Sequence, residues 1–200
     1  MQPSDIPAAP PTPLRTARPA TPSQKLPPLP SPPPGSAARA RPTGLDRLNG
    51  APADAAEAHL LRCCGSRRWA RRLAAHRPYP DLEALLAAAD EASYDLTVAD
   101  LDEALAGETV SSQPLVGARG PGTLAAHTAL RAAHAEYERQ FRHVFVICLD
   151  GFRDTELLNV VLTAIHDRLG NESEEERAVA ADELRRIAGG RLARLAASRD

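Results

Sequence analysis

Aromatic side chains make up only 4% of this 200-residue chain, with one tryptophan, Trp69, and one methionine. Its core must therefore be built from Leu, Ala, Val and Ile. Cysteine is scarce as well: Cys63, Cys64 and Cys148 form an odd set, and two of them are adjacent, a poor geometry for bridging each other. A disulfide framework is not expected; buried thiols in a reducing cytoplasm are. No Cys-x-x-Cys or Cys/His spacing marks a metal site, so no metal is expected. Long apolar runs are missing, and the opening MQPSDIPAAPPTP has neither a basic stretch nor an apolar core. Membrane spanning and secretion are both disfavoured. No excess of charge of either sign exists overall, the formal net charge being −2. GxGxxG, Walker, HExxH and GxSxG strings are also absent, so the chemistries they carry have no support here.

What the chain has in quantity is proline, and its placement is uneven. Fourteen of the 19 prolines fall in residues 1–42, a stretch with five Lys/Arg against one Asp/Glu. This segment is expected to be a disordered tail, and 43–200 to be the folded domain, with a charge of −6. That mildly acidic balance argues against a nucleic-acid partner. The run LPPLPSPPP (26–34) has the character of a polyproline ligand for an aromatic groove, but a plain tether is the simpler reading.

From Gly44 onward the periodicity is helical. Leu45 and Leu48 precede Pro52, and Ala55, Ala58, Leu60 and Leu61 continue to the Cys63-Cys64-Gly65-Ser66 break. Ser66 can cap Arg67–Ala75, Asp81 can cap Leu82–Ser93, and Thr97 can cap Val98–Leu105. Residues 107–123 hold four of the 12 glycines and break the pattern. Leu124–Arg142 then places Leu130, Ala133, Tyr137 and Phe141 on one stripe, and Asp154 opens Thr155–Leu169. Ser173 to Glu176 reads as a capping box for Glu174–Leu195. His143–Leu149 is the one β-branched apolar run; lacking a partner strand, it is expected to be an extended or helical linker. The fold class is all-α: a single compact bundle of about seven or eight helices behind the tail.

Two further features have plain readings. GARGPG (117–122) follows no strand, so it reads as a connector rather than a phosphate cradle. His127 and His134 lie seven apart on one helix and could share a face, but no third ligand accompanies them.

Five strings in order carry a resemblance: Gly44-Leu45-x-x-Leu48-Asn49, CCGSRRWARRLAAHRPY (63–79), DLDEALAG (100–107), AEYERQFRHVFVICLDG (135–151) and RLGNESEEERAVAADELRRIAGGRLARL (168–195). Together they resemble the OHCU decarboxylase family, acting on 2-oxo-4-hydroxy-4-carboxy-5-ureidoimidazoline. The resemblance implies an all-helical, homodimeric, cofactor-free lyase of urate breakdown, which converts its small anionic ureidoimidazoline substrate to (S)-allantoin and carbon dioxide. It also implies Arg191 as the receptor for the substrate carboxylate, and Val146 and Cys148 in the linker whose backbone meets the substrate ring.

The family's His-Pro-x-Ile-Gly motif has no histidine counterpart here. Read without a gap, the sequence places Glu108 at that position; read from Pro114-Leu115-Val116-Gly117, it places Gln113 there. A Ser-x-x-Glu-Gln segment has no match between Gly117 and Tyr137. A carboxylate beside a carboxylate substrate must gain a proton to serve as an acid, and glutamine can orient but not shuttle protons. The reading is therefore a decarboxylase with Glu108 or Gln113 as its catalytic group. Its alternatives are a silent paralogue acting as a ligand-binding or interaction scaffold, and a related substrate served by His127 or His134.

Overall fold

The computed structural model describes residues 41–108 and 123–199; the proline-rich stretch to residue 40, Gln113 and the GARGPG loop lie outside them. Eight helices and no strand occur among the described residues: α1 (Gly44–Gly50), α2 (Ala53–Leu61), α3 (Arg67–Ala75), α4 (Leu82–Tyr94), α5 (Val98–Ala106), α6 (Thr123–Phe141), α7 (Leu157–Arg168) and α8 (Ser173–Ala197). The described residues are all-α, as the periodicity implied.

Local chemistry sets most of the helix starts. Ser66 Oγ accepts from the Trp69 amide at 3.3 Å and Asp81 Oδ1 from the Ala84 amide at 2.8 Å. Thr97 and Asp100 satisfy each other's amides reciprocally, and Thr43 and Asp46 do the same at the start of α1. The box expected at Ser173 does not form. Glu172 is the N-cap of α8, without a side-chain bond, because Glu176 is drawn into the interior instead. The start of α7 also moves, from Thr155 to Leu157.

Two apolar clusters organise the packing. In the first, Leu184, Ala188 and Leu192 of α8 pack with Leu48, Leu60, Trp69, Leu85 and Leu105 from the first five helices. Trp69 is fully buried, and its indole N–H donates to the Ala89 carbonyl at 3.0 Å. The second joins Leu130 and Tyr137 of α6 to Val161 and Ile165 of α7 around Phe145.

Between α6 and α7, residues 144–149 belong to no helix and are flanked by bends and turns. Arg142, at φ 66°, ends α6 in the left-handed region that β-carbon sterics disfavour. Successive side chains of the linker then point to opposite sides, so Phe145 enters the second cluster and Val146 the first. A two-residue period thus serves a segment with no strand to pair with.

Candidate active site

Arg191 projects from the third quarter of α8, one position before the fully buried Leu192. Glu108 follows the end of α5, where its own amide donates to the Leu105 carbonyl at 3.1 Å. The two side chains meet: Arg191 Nη1 donates to Glu108 Oε1 at 2.5 Å and Nη2 to Oε2 at 2.8 Å. This is the two-pronged geometry that a guanidinium offers a carboxylate. Nη1 also donates to the Cys63 carbonyl at 3.2 Å, fixing the head group to the turn after α2. The Glu108 side chain is 7% exposed and that of Arg191 24%. The hydrogen bond from Arg191 to Glu108 raises the arginine pKa further, so the guanidinium is permanently charged.

A close backbone approach sets this spacing. A β-carbon on Gly65 would lie 3.1 Å from the Ala104 carbonyl oxygen, and the Cα of Gly107 would be 3.6 Å from it. Only a residue without a side chain lets the α2–α3 turn touch the last turn of α5 so closely. Cys63 and Cys64 are buried beside the ion pair. Burial raises both thiols, that of Cys64 to about 11, so they remain protonated at neutral pH and are poor nucleophiles.

The linker approaches the same helix. The Cys148 amide donates to Glu183 Oε2 on α8 at 2.7 Å. Two residues on, Asp150 lies over Gly190 and within 3.4 Å of Arg194 Nη1. From the other side, Arg168 Nη1 donates to the Val146 carbonyl at 2.7 Å. Linker residues 146–150 are thus tied to α7 and α8 along the stretch of α8 that leads to Arg191.

Of the sequence-derived candidates, Glu108 and Arg191 come together in direct contact. Val146 is buried, with its carbonyl engaged by Arg168; Cys148 is partly buried and held through its amide; Gln113 is outside the described residues. His134 is buried with its Nδ1 unpartnered, at the edge of the Phe145 ring, and His127 is partly exposed. Among the described residues no group of three His, Cys, Asp or Glu side chains could hold a metal, and no helix is long and apolar enough to cross a membrane. Sequence reasoning missed Arg168, Glu183 and Asp150, whose roles depend on contacts that no spacing rule reveals. A groove of about 680 Å³ between α4 and α8, lined by Leu82, Leu86 and Arg185, opens beside Gly189 rather than at the ion pair.

The helical scaffold thus holds one anchored guanidinium against a carboxylate, with part of the arginine exposed. The family model for OHCU decarboxylase matches residues 49–193, so the chain belongs to the OHCU decarboxylase family. No curated protein matches it. Among solved structures, an OHCU decarboxylase crystallised in the presence of (S)-allantoin is similar with a TM-score of 0.57 and 24% identity, over 69% of this chain and 96% of that one. A structure of (S)-allantoin synthase is similar with a TM-score of 0.60 and 18% identity, over 77% of this chain and 54% of that one. At these identities the likeness establishes the shared fold. Family membership supports a role in urate catabolism.

Proposed function

We propose that this protein is a cofactor-independent carboxy-lyase that converts 2-oxo-4-hydroxy-4-carboxy-5-ureidoimidazoline to (S)-allantoin. The observation that carries the reading is the Arg191 guanidinium, which lies within the family-matched span and already grips a carboxylate by both oxygens. A substrate carboxylate has the same shape and charge and can take the same two donors. In the reaction the bond from the ring carbon to the carboxylate breaks, carbon dioxide leaves, and the electron pair passes into the electron-poor ring. A proton then adds from one face to the neighbouring, ureido-bearing ring carbon, while the carbon that lost carbon dioxide passes from its enol to the carbonyl by giving up its hydroxyl proton. Glu108 is the proposed proton carrier, with Gln113 as an orienting alternative. The Val146 to Cys148 backbone, held by Arg168 and Glu183, is proposed to flank the ring.

The test is turnover of freshly generated substrate by the full chain, following optically active allantoin above the spontaneous racemic background. Stereoselective product that disappears in Arg191→Ala is expected. No acceleration at high protein concentration overturns the lyase reading.

One observation favours a second reading. The receptor is filled by the protein's own Glu108, and an arginine closed in this way suits a silent ligand-binding module. That reading gains if a carboxylate ligand binds at Arg191 while no turnover is detected.

A further inference from the structure

We propose that the cavity between α5, the start of the linker and α8 is a second binding site, which takes a small monocarboxylate carrying urea-type N–H donors. The site is separate from the ion pair described above: Arg177 on its wall stands 14 positions before Arg191 on α8, about 21 Å along the helix axis. The inference therefore does not rest on the lyase reading.

The cavity, of about 390 Å³, is lined by apolar Leu105 and Val144 and by four polar side chains, Asp102, Arg142, His143 and Arg177. That volume falls at the small end of the range for small-molecule sites. Arg142 stands at φ 66°, a conformation that disfavours a β-carbon and that glycine would adopt freely. The strain falls on an arginine whose head group has no use within the described protein. Neither the Arg142 guanidinium nor the Asp102 carboxylate makes a hydrogen bond or an ion pair, although both line the same cavity. Arg177 is the deeper cation, its side chain 33% exposed against 87% for its partner Glu174. A pair so open to water holds weakly and can yield to a better placed carboxylate. His143 is fixed from two sides: its Nδ1–H donates to the Val144 carbonyl at 3.0 Å, and its ring meets the Tyr137 ring edge-on at 5.5 Å between centres. The other nitrogen of a neutral imidazole is then an acceptor.

These groups define the ligand by complement. Two guanidinium groups receive a carboxylate, while Asp102 and the second nitrogen of His143 receive N–H donors. Two cations against one anion leave a net charge of +1 among the lining groups. That balance favours a monoanion over a zwitterion, whose charges sum to zero, and over a phosphate dianion, which Asp102 would repel. A urea group presents two parallel N–H donors to the two oxygens of a carboxylate, so a ureido acid answers both halves of the cavity.

Isothermal titration of the full chain with N-carbamoylglycine tests the site. The expected result is saturable binding at least about tenfold tighter than that of acetate, which lacks the N–H donors, or of urea, which lacks the carboxylate. Arg142→Gly should weaken binding about 10- to 100-fold, the range that one charge-assisted hydrogen bond spans. Because glycine accepts the left-handed conformation, the same variant should not lower the melting temperature. Arg177→Gln, on a separate element, should weaken binding in the same range. Asp102→Ala should weaken the binding of N-carbamoylglycine and not that of acetate, and Arg191→Ala should bind N-carbamoylglycine as the wild type does. Absence of binding to the wild type overturns the proposal, as does unchanged affinity in Arg142→Gly, Arg177→Gln or Asp102→Ala. Free glycine binding as tightly as N-carbamoylglycine overturns the ligand class. Binding lost in Arg191→Ala and kept in Arg142→Gly overturns the site, because the probe then sits at the ion pair.

Discussion

Two buried arginine–glutamate pairs divide the molecule, and they are built differently. Arg168 and Glu176, between α7 and α8, have side-chain exposures of 9% and 0%. Every face of that pair is occupied. Arg168 Nε donates to Glu176 Oε1 at 2.9 Å, Nη2 reaches the same oxygen and Nη1 takes the Val146 carbonyl, while Asn171 donates to Glu176 Oε2 at 2.9 Å and Tyr137 O–H to Oε1. The guanidinium also sits 4.5 Å from the centre of the Phe145 ring. Arg191 and Glu108 form a pair whose arginine keeps an exposed edge. A saturated pair fixes architecture, here the path of the linker. A pair whose arginine keeps an exposed edge leaves a cation within reach of solutes.

The largest effect that would break the contrast is expected at the saturated pair. Glu176→Ala leaves Arg168 buried without its counter-charge, and removing one partner of such a pair costs about 3–5 kcal/mol. For a domain of this size that corresponds to a fall in melting temperature of roughly 10 °C. Thermal unfolding followed by circular dichroism measures it. A loss of only a degree or two would mean that the network adds no more than the open pair does.

Arg191→Ala should be milder for stability and severe for function. It takes the guanidinium away from the Glu108 carboxylate, whose side chain is 7% exposed, but the exposed edge of the pair lets water reach it, so a cost of about 1–3 kcal/mol is expected. Binding of a carboxylate ligand at that site should be lost altogether. A urea titration set beside ligand titration separates the two effects. Destabilisation equal to that of Glu176→Ala would erase the distinction between the pairs.

The sequence reveals the two pairs unequally. Arg191 and Glu108 lie 83 positions apart, yet each was placed by a local string, and the structure brings them into contact. Arg168 and Glu176 lie only eight apart, and their pairing was invisible. Glu176 sits three residues after Ser173, the spacing of a capping box, so local chemistry gave it a surface role. Tertiary packing prevailed, because a carboxylate that meets arginine, tyrosine and asparagine together gains more than one that caps a single amide. The caps at Ser66, Asp81 and Thr97 were legible because each involves only its own helix end. The linker was legible as an apolar β-branched run; which of its residues turned to which cluster was not, since that depends on the helices on either side.

The smallest expected effect sharpens the comparison from within the second cluster. His134 is packed edge-on to the Phe145 ring, 5.6 Å between centres, with its Nδ1 buried and unpartnered. Burial lowers its pKa from the ordinary 6.5, partly offset by Glu138 on the same helix. A histidine whose folded pKa is depressed favours the native state above its unfolded pKa, and that stability is lost as pH falls through about 6.5 and below. The urea midpoint of the wild-type chain should therefore fall between pH 7.5 and pH 5, and that of His134→Asn should fall less. Parallel curves would show that His134 takes up its proton as easily folded as unfolded, which would require the second cluster to admit water where the Arg168 network closes it.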